Sequence, residues 1–167
     1  MDALEAIFTR RSIRKYTGEP VTADELHTIL EAGMNAPSAN NRQPWHFIIV
    51  DQREKLNSII EAHPHSKMLA EAPLAIIVCG DTTVSEKFWQ QDCAAAAENI
   101  LLAARALGLG TVWMGVYPDM QRAAGITALF GIPKGIQPLC IIAVGHPAEQ
   151  KGRVERYDAG KVHTNGW

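Results

Sequence analysis

Two stretches of this sequence carry polar side chains at a density that suits ligand binding. The first is Arg10–Lys15 (RRSIRK), the densest basic cluster in the chain. The planar guanidinium group of arginine matches the geometry of phosphate, and the Ser12 hydroxyl adds a further donor. A second basic group, Lys151 and Arg153, follows the last apolar run. If the two groups meet in space they form a site for a dianionic phosphate; a solvated charged face is the alternative interpretation.

The second polar stretch runs from Pro37 to Trp45 (PSANNRQPW) and separates an amphipathic segment from an apolar run. Each proline disfavours helix at the residue before it, so we expect an irregular backbone of fixed shape. Its hydroxyl and three amides belong to Ser38, Asn40, Asn41 and Gln43. Because an amide offers a donor and an acceptor, these groups suit a neutral, planar ligand rich in heteroatoms. An ordinary loop built on Asx turns is the alternative.

A glycine-containing segment, Gly108–Gly115 (GLGTVWMG), does not fit the dinucleotide-binding fingerprint. Its third glycine comes too late for GxGxxG, and the segment follows a predicted helix rather than a strand. A helix end that leads into a core strand accounts for Gly108 and Gly110. This interpretation does not explain Trp113 and Gly115. An aromatic side chain and a bare backbone could contact a flat ring system.

Other kinds of site have little support in the sequence. The His63–His65 segment (HPH) has no carboxylate or cysteine at metal-ligand spacing, so we predict no metal site. No serine lies in a GxSxG elbow, and no cysteine lies in an activating motif. We therefore predict no catalytic side chain. If the protein is an enzyme, a cofactor carries its chemistry.

Composition and charge place the chain among soluble proteins of one domain. It has 167 residues, 47% of them hydrophobic, and a net charge of −2, which gives no attraction for nucleic acid or an anionic membrane. No apolar run is long enough to cross a bilayer, and the first residues lack the order of a signal peptide. The scattered Cys79, Cys93 and Cys140 are typical of buried, reduced thiols, so we expect a cytoplasmic location.

Apolar periodicity predicts the secondary structure. Helices are predicted over residues 2–10, 22–33, 51–62, 90–107 and 118–130. Strands are predicted over residues 45–50, 74–80, 111–116 and 138–145, the first of them largely buried. The helix over 90–107 is apolar around most of its circumference, which indicates a central position. Because two helices precede any strand and the elements alternate irregularly, we predict an α+β fold rather than a doubly wound parallel sheet.

Taken together and in this order, four motifs resemble those of the FMN-dependent nitroreductase family. They are Arg10–Arg14, Pro37–Trp45, Gly108–Gly115 and Gly145–Arg153 (GHP…KGR). The resemblance covers nearly the whole chain. It implies a three-layer α+β fold in which helices flank a central, mostly antiparallel sheet. It also implies an intertwined homodimer with FMN bound at the interface.

The resemblance further implies which residues bind FMN. The basic groups would hold the phosphate and ribityl chain, with Arg14 also close to the pyrimidine edge of the flavin. The loop residues would come from the other subunit, and the Trp113–Gly115 segment would line the isoalloxazine ring. Ser66 or Lys67 is a further candidate. The implied ligands are Arg10, Arg11, Ser12, Arg14, Pro37, Ser38, Ala39, Asn41, Gln43, Trp113, Met114, Gly115, Lys151 and Arg153.

The implied activity is transfer of hydride from NADH or NADPH through flavin N5 to a nitroaromatic, quinone or similar electrophilic acceptor, in a ping-pong sequence. The alternatives are another flavin reaction on the same fold (reductive dehalogenation or flavin fragmentation), a non-catalytic FMN-binding module, and a structural domain without a ligand. The chain lacks the longer insertions that cover the flavin in larger members of the family, and residues 84–91 would form a small lid.

We expect residues 1–167 to form a single domain in which residues 148–167 are a C-terminal extension. This extension contains Tyr157 and Trp167 and is too apolar for a free end. We therefore predict that it packs across the partner subunit.

Overall fold

A four-stranded antiparallel sheet forms the centre of the protein, whose computed structural model describes residues Met1–Trp167. The strands are β1 (Trp45–Val50), β2 (Leu74–Asp81), β3 (Gly110–Gly115) and β4 (Ile136–Gly145). Their order across the sheet is β1-β2-β4-β3, and each neighbouring pair is antiparallel. The predicted α+β fold with a mostly antiparallel sheet is confirmed.

Helices cover both faces of this sheet and make three layers. They are α1 (Ala3–Thr9), α2 (Ala23–Met34), α3 (Arg53–Ala62), α4 (Trp89–Ala106) and α5 (Met120–Phe130). On one face, α3 and α5 contribute to a core cluster; on the other face, α2 and α4 contribute to a second cluster of equal size. All the predicted helices form, with small differences at their ends.

The 18-residue helix α4 is central, as its all-round apolar character predicts. It packs against α1, α2 and the sheet. Gly33 permits the close approach of α2, since a Cβ at this position would lie only 2.9 Å from the side chain of Ile100. At 1.5 Å per residue the helix is about 27 Å long. It therefore spans the protein, and its two ends support different parts of the surface.

The prediction that β1 is largely buried is wrong. This strand lies at an edge of the sheet, where His46 is exposed and the residues from Phe47 to Ile49 are only half-buried. Strand order is a property of the whole fold, and the apolar run WHFIIV does not reveal it. The central strands β2 and β4, in contrast, are buried along most of their length.

The three cysteines are free and fully buried. Burial raises the pKa of the Cys79 and Cys93 thiols to about 12. At the C-terminus every residue from Gly152 onward is exposed, and the ring of Trp167 stacks on His163 with centroids 4.4 Å apart while remaining in solvent. No helix combines the length and apolar character needed to cross a membrane.

Candidate cofactor site

The N-terminal basic segment is fixed against the edge strand β3. After α1 ends at Thr9, the chain runs beside this strand, and the Ile13 N–H donates to the Thr111 carbonyl at 2.9 Å. Ser12 and Thr111 form a parallel β-bridge. Gly110 permits this approach, because a Cβ there would lie 2.8 Å from the Ile13 side chain. The basic cluster is thus anchored at the sheet edge and is more than a solvated charged face.

The N-terminal basic segment and Lys151 of the second basic group lie together. Lys151 Nζ donates to the Ser12 carbonyl at 2.6 Å and pairs with Glu149 at 3.1 Å. Arg11 Nη1 donates to the Gly152 carbonyl at 2.7 Å. The Arg14 N–H donates to Glu149, and chiefly this hydrogen bond holds the pKa of the Glu149 carboxyl below its usual range. Hydrogen bonds between side chains of each segment and backbone groups of the other therefore define the position of the cluster.

A basic cleft of about 340 Å³ opens between these segments and the last turns of α4. Arg10 pairs with Glu98 at 3.6 Å, whereas Arg11 and Arg105 have no carboxylate partner. Sequence reasoning missed Arg105, whose Nε donates to Thr9 Oγ1 at 3.0 Å. The cleft is lined by Thr9, Arg10, Arg11, Ile13, Arg105, Leu109, Thr111, Pro147, Glu149, Gln150 and Lys151. Two uncompensated guanidinium groups favour an anionic ligand here.

Arg153 does not line this cleft. It pairs with Glu155 at 3.1 Å, and its guanidinium lies 4.6 Å from the centre of the Phe8 ring. The side chain therefore packs on the outer face of α1, along a separate groove that also contains Arg10 and Arg11.

A second, wider cleft of about 580 Å³ continues along the same edge of β3. It combines Arg14 with the predicted ring-lining residues and has no carboxylate in its lining. Lys67 lines it, whereas Ser66 is fully buried and donates to the His63 carbonyl at 2.7 Å. The lining residues are Arg14, His63, Pro64, His65, Lys67, Met68, Val112, Trp113, Met114, Gly115 and Arg122. The cleft suits a planar ligand that carries or develops negative charge.

The edge of β3 presents peptide groups to the wider cleft. The Gly115 carbonyl, which points away from β4, accepts from Arg122 Nη1 at 2.8 Å and contacts His63 Nε2 at 2.9 Å. The Thr111 carbonyl also points away from β4, to Ile13. Peptide direction alternates along a strand, so the N–H and C=O of Trp113 also face outward. An edge strand with a free donor and acceptor matches the heteroatoms of a planar ring.

His63 supports this edge of β3, a role that sequence reasoning missed. It is 2% exposed, and burial chiefly lowers the pKa of its imidazole. Nδ1 accepts the His65 N–H at 3.2 Å, so the neutral form with hydrogen on Nε2, assigned from these partners, donates to Gly115. The ring has no free group for acid–base chemistry. It holds the end of β3 in place.

The Pro37–Pro44 loop has the fixed, irregular backbone that its prolines predict. Three of its non-glycine residues have left-handed backbone: Asn40 and Asn41 at φ 53° and Gln43 at φ 49°. Such conformations are uncommon and cost energy, least for asparagine. The Ser38 hydroxyl accepts the Gln43 N–H at 3.0 Å, and the Gln43 amide donates to Asn41 Oδ1 at 3.1 Å. The loop is therefore ordered by its own side chains.

This loop lies at the opposite end of α4 from the basic cluster. Ala39 is hydrogen-bonded to Asp92 near the start of the helix, while Arg105 near its end contacts Thr9. At 1.5 Å per residue, Asp92 and Arg105 lie about 20 Å apart along the helix axis. Within one chain, the structure does not bring the loop residues Pro37, Ser38, Ala39, Asn41 and Gln43 to the edge of β3.

Comparison with known proteins gives a family and close structural relatives. A family model described as "Nitroreductase family" matches residues 7–72 and 55–146. A protein of Methanothermobacter thermautotrophicus, provisionally named NADH dehydrogenase/NAD(P)H nitroreductase, is 49% identical over 100% of this chain and 88% of its own length. A crystal structure with the same provisional name, from Parabacteroides distasonis, has a TM-score of 0.96 and 42% identity, and the match covers 99% of this chain and 98% of that one.

A further solved structure comes with a ligand. It is a provisionally named nitroreductase from Desulfovibrio desulfuricans, described in complex with FMN. Its TM-score is 0.87 at 33% identity, and the match covers 100% of this chain and 98% of that one.

Proposed function

Because the chain belongs to the nitroreductase family and is an FMN-dependent NAD(P)H oxidoreductase, we propose that it uses NADH or NADPH to reduce a nitroaromatic, quinone or similar electrophilic acceptor. The donor and the acceptor enter the same cleft in turn, as in a ping-pong reaction. Acceptance and donation of hydride are the chemistry that FMN supplies when bound. The observation that carries this proposal is the continuous edge of β3, which joins a basic cleft to a wider cleft that is also cationic.

The basic cleft fits the phosphate of FMN. Arg11 and Arg105 carry positive charge that no carboxylate neutralises, and Arg10 and Lys151 lie beside them. Each charge-assisted hydrogen bond to a phosphate oxygen contributes about 1.5–3 kcal/mol. Ser12 is held at the same place by the bridge to β3. These groups bind and orient the anionic end of the cofactor.

The wider cleft fits the isoalloxazine ring. The outward peptide group of Trp113 and the N–H of Gly115 offer hydrogen bonds to its heteroatoms. The Met114 side chain packs into the core behind them. Arg14 and Lys67 place cations in the cleft, which favours the form of the ring that carries negative charge. His63 and Arg122 hold the Gly115 carbonyl, so they fix this end of the strand.

The Pro37–Pro44 loop completes the site from a second copy of the chain. Its distance of about 20 Å along α4 from the basic cluster supports this arrangement, as does the exposed apolar surface of α1, where Leu4 is 63% and Phe8 is 47% exposed. In a two-fold symmetric dimer each loop would lie over the cleft of the other protomer. Ser38, Asn41 and Gln43 would then supply the polar contacts to the ring. Residues 148–167 would pack across the partner.

A visible absorption spectrum of the purified protein, followed by anaerobic addition of NADH and then NADPH, tests the proposal. We expect a yellow protein that one nucleotide bleaches and that regains colour with an added nitroaromatic or quinone. The Arg10→Ala/Arg14→Ala variant should lose flavin, whereas exposed Lys134→Ala should retain it. A yellow protein that neither nucleotide bleaches would favour a carrier or another flavin reaction. A colourless protein that FMN cannot reconstitute would contradict the proposal.

A further inference from the structure

Asp92 is the only acidic residue of the chain that is buried, with 5% of its surface exposed. It lies in the first turn of α4, and its carboxylate points toward two neighbouring segments. A buried carboxylate is costly unless hydrogen bonds replace its contacts with water. The bonds that it makes therefore indicate what it does in the fold.

Both oxygens of this carboxylate accept hydrogen bonds. Oδ1 accepts the Ala39 N–H at 2.9 Å, and Oδ2 accepts the Ser85 hydroxyl at 3.0 Å. Ser85 is itself 3% exposed and belongs to the segment of residues 82–88 that precedes α4. One side chain thus joins the Pro37–Pro44 loop to the 82–88 segment and to the helix.

Two further contacts hold the loop, one from the 82–88 segment and one from the end of β2. Arg42 Nη1 donates to the Val84 carbonyl at 2.7 Å, and the N–H of Asp81, the last residue of β2, donates to the Pro44 carbonyl at 2.7 Å. Asp92 holds the beginning of the loop at Ala39, so the left-handed residues lie between fixed ends. Strained backbone of this kind persists only where the surroundings hold it. Asp92 is the buried part of that support.

We propose that Asp92 is a positioning residue for the cofactor site, through the loop that it holds. This proposal rests on the proposed function, in which the loop contacts FMN bound to the partner protomer. Asp92 does not touch the cofactor; it gives the loop its binding shape before FMN arrives. Helix α4 then serves both sites of the dimer, its own through Arg105 and the partner's through Asp92.

The experiment compares Asp92→Leu, which keeps the branched shape but removes the acceptors, with Asp92→Asn, whose amide oxygen still accepts the Ala39 N–H. The control is Asp24→Ala, an exposed aspartate in the first turn of α2. Two quantities are measured: hydrogen exchange of residues 38–44 and 82–88, and the Kd of the apoprotein for FMN from flavin fluorescence. Asp92→Leu should speed exchange in both segments and weaken FMN binding about tenfold or more. Asp92→Asn and Asp24→Ala should remain close to the wild type.

Three outcomes would overturn the proposal. Unchanged exchange in Asp92→Leu would show that the carboxylate does not hold the segments. Faster exchange with FMN affinity within about twofold of wild type would show that the held shape does not serve the cofactor. Equal loss of FMN in Asp92→Asn and Asp92→Leu would show that the charge, and not the hydrogen bond to Ala39, matters.

A second variant covers the case in which Asp92→Leu does not fold. Ser85→Ala leaves the bond from Ala39 to Asp92 in place, and it should release the 82–88 segment while residues 38–44 stay protected; exchange unchanged in both segments would overturn the proposal. Failure of the proposed function has a different signature. Arg10→Ala/Arg14→Ala would then bind FMN normally, while the exchange measurements would still report on the Asp92 contacts.

Discussion

The basic segment at residues 10–15 and the Pro37–Pro44 loop differ in how the fold holds them. Backbone hydrogen bonds from Ile13 to Thr111 and from Ala148 to Lys15 join the basic segment to β3 and to the Gly145–Arg153 segment, and its residues have ordinary backbone. The loop depends more on side chains, among them Ser38 and Asp92, and three of its residues are left-handed. The two regions also lie at opposite ends of α4. The positively charged part of the candidate site is thus formed within one chain, whereas the loop lies about 20 Å away along α4.

Mixing two defective chains is the strongest test of this division. Arg10→Ala/Arg14→Ala removes charge from one half, and Asn41→Pro breaks the other, because proline cannot adopt φ 53° and has no N–H for the Ser38 carbonyl. Each variant alone should have almost no NAD(P)H-dependent reductase activity. Chains unfolded and refolded together should regain about one quarter of the wild-type activity, since half of randomly formed dimers contain one intact site.

Two controls make the recovery interpretable. Each variant refolded alone should stay inactive, and each mixed with Lys134→Ala chains should show only the activity that the intact sites provide. No recovery in the mixture of the two defective chains, with dimers present, would mean that loop and basic segment serve a site within one chain. The comparison between the two regions would then lose its functional meaning.

Deletion of residues 155–167 should have an intermediate effect. This stretch contains Tyr157, which is 83% exposed, and Trp167, which is fully exposed in the single chain. If these side chains pack on the partner, their loss should weaken the dimer about tenfold or more, while the fold of each protomer is retained. Sedimentation at a series of protein concentrations measures the change, with circular dichroism as the check on folding. A stable, unchanged dimer would argue that the tail has another role.

The smallest effect, on the pH dependence of stability, is expected from substitution of His63, which holds the end of β3 at the wider cleft. Below a pH of about 6.5 the unfolded chain takes up a proton that the buried imidazole resists. Because the pKa of His63 is lowered in the folded state, the free energy of unfolding falls with falling pH, by at most about 1.4 kcal/mol per pH unit. Arg122 and His65 beside the ring act in the same direction.

Thermal unfolding of wild type and His63→Gln at pH 7.5 and 5.5 isolates this contribution, since the carboxylates titrate equally in both proteins. The wild type should lose more stability than the variant over this interval, because glutamine keeps a donor for Gly115 and gains no charge. Exposed His27→Gln is the control; its pair with Glu31 at 4.0 Å is also exposed, so we expect a loss close to that of the wild type. Equal losses in wild type and His63→Gln would place the pH dependence elsewhere.

The helices and strands can be predicted from the sequence, and so can most of the basic residues that line the candidate site. Apolar periodicity predicts each helix and strand. The four motifs, taken in order, resemble those of the family and imply its fold. The sequence does not reveal strand order. It therefore does not show that β1 lies at an edge of the sheet and is only partly buried. Asp92, Arg105 and His63 also stayed hidden, because each acquires its role through a contact more than 50 residues away in sequence. Burial of a single polar side chain is decided by tertiary packing.

The buried cysteines have a consequence for the durability of the enzyme. Thiolates attack electrophiles such as quinones and partly reduced nitroaromatics, and a thiol with a pKa of about 12 is almost never a thiolate at neutral pH. Cys79, Cys93 and Cys140 are also enclosed by the core. The folded polypeptide therefore presents no thiolate to compounds of the proposed acceptor class. Arylation of a cysteine requires prior opening of the core, so resistance to such compounds follows from conformational stability.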